Sequence, residues 1–147
     1  MDMIELRRRV MLSMASGDCK LLSSVSVQSS QRTCVIPLDN SWLQKYKALI
    51  LICHIESNAT GSDWLYFDFN NLSYSQGQYA PFNPTVVKDV ALSAFIYDTK
   101  IVLTSPNGAN NNRTYDIEQS DNFLRFNLYS TNLYLTEGTT AKLYGIK

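Results

Sequence analysis

The chain has 147 residues, 45% of them hydrophobic and 18% charged, with 13 Lys and Arg balancing 13 Asp and Glu. That length suits one domain able to bury roughly two-thirds of its unfolded surface, so a true core is expected. Zero net charge without a basic stripe argues against a nucleic-acid partner, whose affinity rests on phosphate neutralisation. No stretch nears the ~18 apolar residues of a membrane span.

In chain order, residues 2–16 are predicted to form a helix. Ile4, Leu6, Val10, Met11 and Met14 recur at helical spacings, with Arg7, Arg8 and Arg9 among them. Asp2 with Glu5 is a capping-box pattern, and Gly17 is the expected stop. A helix of about four turns is marginal alone, so it packs on its own domain or on another copy. Its apolar residues are the candidate oligomerisation surface, and the chain divides into this helix (1–17) and a β domain (18–147).

After Gly17 the period becomes two. Val25 and Val27 alternate with serines, and residues 33–38 read as a second strand. Residues 47–56 are apolar on both faces, as in a central strand covered on each side, and Ile50, Ile52 and Ile55 favour strand over helix. In residues 63–69, Leu65, Phe67 and Phe69 share one face while Trp64, Tyr66 and Asp68 share the other. Residues 70–84 contain Gly77, Pro81 and Pro84, so loop or edge is expected. Residues 86–97 and 100–104 read as strands, followed by an Asn-rich turn from Asn107-Gly108 to Asn112. In residues 123–130, Leu124, Phe126 and Leu128 point inward and Arg125, Asn127 and Tyr129 outward; residues 140–146 form the last strand. About seven to nine strands with no helices between them describe a mainly β, antiparallel sandwich or jelly roll behind a short N-terminal helix.

The chemistry is sparse. Cys19, Cys34 and Cys53 are an odd number without paired spacing, so neither a disulfide framework nor a zinc site is expected. Reduced thiols fit folding in a cytoplasm, and the apolar stretch after Arg9 is too short for a secretion signal. His54 is the one histidine, and its neighbour Cys53 would face the other way along a strand. Asp63 and Asp68, the carboxylates a small glycosidase would need, also fall on opposite faces. Asp116, Glu118 and Asp121 are the only acidic group with calcium-like chemistry, and a solvated loop explains them better. No catalytic residue, metal or cofactor is therefore assigned. Nine tyrosines and two tryptophans among many amides and hydroxyls suit carbohydrate recognition, in which a ring stacks on a sugar face. Trp64, Tyr66, Tyr74, Tyr79 and Tyr115 are the candidate ligand contacts, against the alternative of ordinary half-buried packing.

Two segments carry a family resemblance. Ile4-Glu5-Leu6-Arg7-Arg8-Arg9-Val10-Met11-Leu12 resembles the N-terminal helix of small phage and prophage structural proteins. Gly138-Thr139-Thr140-Ala141-Lys142-Leu143-Tyr144-Gly145-Ile146 is similar to the closing strand of phage fibre and receptor-binding β-sandwich domains. The resemblance implies a virion component made in the bacterial cytoplasm, frequently a homotrimer, contacting other virion proteins and sometimes cell-surface polysaccharide. The expectation is a non-catalytic structural or host-adsorption module; the alternatives are a monomeric carbohydrate-binding domain and a small glycoside hydrolase.

Overall fold

A computed structural model describes residues 2–70, 77–104, 106 and 112–147. Among these residues ten strands form two antiparallel sheets: β1 (Cys19–Ser26), β2 (Cys34–Pro37), β3 (Ala48–His54), β4 (Asp63–Phe69), β5 (Gln78–Phe82), β6 (Asp89–Tyr97), β7 (Lys100–Leu103), β8 (Arg113–Asp116), β9 (Phe123–Leu128) and β10 (Thr140–Ile146). One sheet has the order β1-β10-β3-β6-β7-β8 and the other β2-β9-β4-β5. With the β7–β8 hairpin set aside, the pairs β4–β5, β3–β6, β2–β9 and β1–β10 nest inside one another. This is one long hairpin rolled across two sheets, the topology of a jelly roll. The expected sandwich is therefore present, and β7–β8 extends one of its sheets.

The alternation in the sequence becomes the core. Leu49, Leu51 and Cys53 of β3 meet Leu65, Phe67 and Phe69 of β4, with Leu124, Phe126 and Leu128 of β9 beside them, all buried in one cluster. The edge at residues 70–84 contains β5, whose Pro81 lies on an outer strand where its missing N–H costs no ladder bond. Two elements differ from the expectation. β8 was hidden by its position directly after the Asn-rich turn, of which 107–111 lie outside the described residues. A short helix, α2 (Asn40–Lys45), interrupts the strands; Asp39 caps it by accepting from Ser41 N at 2.8 Å, and it delivers Leu43 and Tyr46 to the core.

The N-terminal helix, α1 (Met3–Ala15), starts at Asp2, whose side chain accepts from Glu5 N at 2.7 Å. Glu5 does not return a bond to the cap; it binds Arg8 and Arg9 instead, at 2.8 and 2.9 Å. Gly17, at φ 83°, takes the left-handed conformation that ends the helix. α1 docks on the outer face of its own six-stranded sheet. Val10 is buried with Cys19, Ile50 and Ile52, while Met3 and Leu6 pack around them. The second apolar face of β3 is thus covered by α1. Among the helix residues expected at an oligomer interface, Leu6 and Val10 are occupied inside the subunit, whereas Ile4, Met11 and Met14 are exposed.

Candidate aromatic binding platform

The outer face of the four-stranded sheet gathers aromatic side chains at one end. Alternation along β4 places Trp64, Tyr66 and Asp68 on that face. Register puts Pro81 beside Trp64 and Tyr79 beside Tyr66 on β5. On the other flank Tyr129 N donates to Trp64 O at 2.8 Å, so Tyr129 and Trp64 are cross-strand neighbours just past the end of β9. Both rings stand out of the surface, with 47% of Trp64 and 50% of Tyr129 exposed. Half-buried Tyr79 supports Tyr129 edge-on at a centroid distance of 5.9 Å.

Beyond Tyr129 the chain turns through Ser130, Thr131 and Asn132, which line with it a shallow depression of about 440 Å³. The turn is held from two sides. Asp63 accepts from Ser130 N at 3.0 Å and from Ser130 Oγ at 3.1 Å. Arg32 reaches across to donate to the carbonyls of Leu128 at 2.6 Å and Leu133 at 3.1 Å. Two exposed aromatic side chains on neighbouring strands, beside a held Ser130 and the exposed Thr131 and Asn132, are an arrangement that can stack on a ring and bond its substituents. Holding it in advance reduces the ordering cost of binding.

Of the ligand contacts expected from sequence, Trp64 and Tyr79 belong to this platform. Tyr66 is a correction: it is fully buried, with Tyr79 packed on it at 5.1 Å. Gly77 approaches the Tyr66 ring so closely that a Cβ there would lie 2.1 Å from it. Burial first, then the charge of Asp68 and a hydrogen bond to it, push the Tyr66 hydroxyl well above its ordinary pKa. Tyr115 belongs elsewhere. It rises from β8, packs on Phe69 at 5.9 Å, and so sits about 17 Å along β4 from Trp64. Burial and then Asp68 push its pKa up to about 12. Tyr74 lies outside the described residues. Tyr129 and its turn were missed as site residues, although the alternation of residues 123–130 already pointed Tyr129 outward; its pairing with Trp64 is a tertiary fact.

The side chains weighed for catalysis have other partners. Asp63 holds the Ser130 turn, and Asp68 is buried and paired with Arg125 at 2.7 Å. Cys53 faces the core while His54 faces outward, its two ring nitrogens 3.0 Å from Asp89 and 2.9 Å from Glu56. Burial raises the pKa of all three thiols, that of Cys34 to about 11, which keeps them protonated and unreactive. Asp116 is paired with Lys100. Among the described residues no group of three or more His, Cys, Asp or Glu converges as a metal site, and no helix is long and apolar enough to cross a membrane.

No family model matches the chain, and no curated protein does. Among solved structures, a functionally unknown protein from Saccharomyces cerevisiae is similar over 87% of this chain and 89% of its own, at 6% identity and a TM-score of 0.29.

Proposed function

We propose that this chain is a non-catalytic binding module that recognises a neutral glycan on the platform of Trp64, Tyr129 and the Ser130 turn, as the adsorption component of a phage-derived particle. The observation that carries the binding part is the pair of half-exposed, adjacent rings beside a turn pinned by Asp63 and Arg32. A neutral ligand suits the described lining of the depression, Tyr129, Ser130, Thr131 and Asn132, which offers hydrogen-bonding groups and, among the described residues, no charge. The particle part rests on the resemblance of the two chain ends to phage structural and fibre proteins. Jelly rolls serve both capsids and lectins, so the topology is compatible with this reading without selecting it.

Trp64 is much more exposed than half-buried Trp42, so tryptophan fluorescence reports on the platform. Titration with neutral oligosaccharides from bacterial surface polysaccharide is expected to shift that emission to shorter wavelength, with saturation. Replacing Trp64 or Tyr129 by Ala is expected to cost about 2 kcal/mol of binding, roughly thirtyfold, while leaving the thermal midpoint nearly unchanged. Absence of saturable binding would defeat the reading.

Ile4, Met11, Leu12 and Met14, all exposed on α1, favour a companion role in assembly with further copies, in the trimer that the resemblance implies. Light scattering coupled to gel filtration tests it. Ile4→Glu combined with Leu12→Glu is expected to give monomers, and a wild-type chain that is already monomeric removes the assembly role.

A further inference from the structure

A second concavity lies on the other sheet, beside α1. It is a groove of about 350 Å³ between the helix residues Arg7 and Val10 and the strand residues Ile52, His54, Lys142 and Tyr144. The register explains its make-up. Thr140, Lys142 and Tyr144 alternate along β10 and face the same side, each opposite His54, Ile52 and Ile50 of β3. Buried Val10 and Ile52 supply an apolar floor, and the polar groups stand around it.

Arg7 and Lys142 bring positive charge to the groove, His54 adds to it only when protonated, and among the described residues no carboxylate lines it. The nearby acids are engaged: Asp89 takes Arg7 at 3.1 Å and His54 at 3.0 Å, and Glu56 takes Lys88 and His54. Lys142 has no carboxylate partner among the described residues. Lys142 is therefore the cation on the groove wall that no carboxylate compensates among the described residues. Tyr144 keeps its proton, because burial and then Cys19 raise its pKa against the opposing effect of Arg7; its hydroxyl and that of Thr140 are donors on the same wall.

We propose that this groove binds a small organic monoanion of the carboxylate class, its head at Lys142 and its apolar body on Val10 and Ile52. One negative charge matches the one unpaired cation. The volume admits about a dozen non-hydrogen atoms, taking roughly 30 Å³ for each water-sized group. The polar rim with an apolar floor is the usual composition of a small-ligand site. The groove is separate from the aromatic platform, which lies on the opposite sheet.

The probes are sodium hexanoate, hexan-1-ol and hexylammonium, followed by amide chemical shifts of the full chain. Hexanoate is expected to shift Val10, Ile52 and Lys142 saturably, with half-saturation at about 1 mM, and the alcohol and amine at least about tenfold more weakly. Lys142→Glu is expected to abolish the hexanoate shifts; because Lys142 is exposed, the fold should survive. Lys142→Gln, which keeps a polar head of similar size, should weaken them about tenfold. Equal binding of hexanoate and hexan-1-ol, retention of binding in Lys142→Glu, or no saturable shift in the wild type would overturn the proposal.

Discussion

At the scale of the residue, one buried amide shows how specific partners satisfy a polar group inside this fold. Asn122 is 2% exposed and joins three parts of the fold. Its Nδ2 donates to Asn40 Oδ1 and Glu118 O, and its Oδ1 accepts from Asn70 Nδ2 and Glu118 N, at 2.7 to 2.9 Å. Asn122→Ala removes four bonds and strands their partners, so a loss of about 2–4 kcal/mol is expected in denaturant unfolding. His54 gives a pH signature. Partial burial works to lower its pKa, but the hydrogen bonds and charges of Asp89 and Glu56 outweigh it, and the net shift is upward. The stability this supplies is complete below the ordinary value of 6.5 and is lost as pH rises through the higher folded value. Glu56 acts oppositely: Lys88 first and then His54 lower its pKa, so its contribution is complete above 4.5 and lost as pH falls through the folded value. The thermal midpoint of the wild type is therefore expected to fall towards that of His54→Gln as pH rises from 6.5 through the raised folded value. A gap between the two proteins that stays constant across this range would refute the pairing. Little of this was legible in the sequence. The outward direction of His54 followed from alternation, whereas Asp89 lies 35 residues away and meets it only because β3 pairs with β6.

At the scale of the element, docking of α1 converts a strand with two apolar faces into an interior one. Each apolar side chain buried there contributes roughly 1.5–3 kcal/mol. Val10→Asp is accordingly expected to undock the helix and raise hydrogen exchange across α1, while the core strands β3 and β4 stay protected. Sequence periodicity identified this helix and its cap, because thirteen residues give enough turns to show a pattern. It could not show which side of the helix faces the sheet: Ile4 and Met11 carry the same hydrophobic signal as Leu6 and Val10. α2 was invisible for the opposite reason, since six residues are too few to establish a period. Its role emerges at Tyr46, whose ring lies against Gly145 of β10; a Cβ at Gly145 would come within 2.7–2.8 Å of that ring. Gly145→Ala is expected to destabilise the fold by about 1–3 kcal/mol, through overpacking of a closed core.

At the scale of the molecule, two-residue alternation tells which side of each strand is inside but not which strands are neighbours. Inward Leu65, Phe67 and Phe69 were readable, and so was a two-layer sandwich. The nested order of a jelly roll was not, because β1 pairs with β10 across almost the whole chain. The platform suffers the same limit. Trp64 and Tyr129 each read as outward, yet 65 positions separate them, and only closure of β9 on β4 makes them one surface. The opposite error, Tyr66, came from treating the whole outer face of β4 as open, when Gly77 and Tyr79 cover its middle. The end of that face at Trp64 and Tyr129 stays exposed, with the Ser130 turn beside it. Its use is best tested on an array of neutral bacterial surface polysaccharides, probed with the wild-type chain and with a Trp64→Ala, Tyr129→Ala double variant of matched thermal midpoint. Binding of the wild type to a restricted set of glycans, lost in the double variant, is the expected result; binding that both proteins share, or that neither shows, would contradict glycan recognition at this platform.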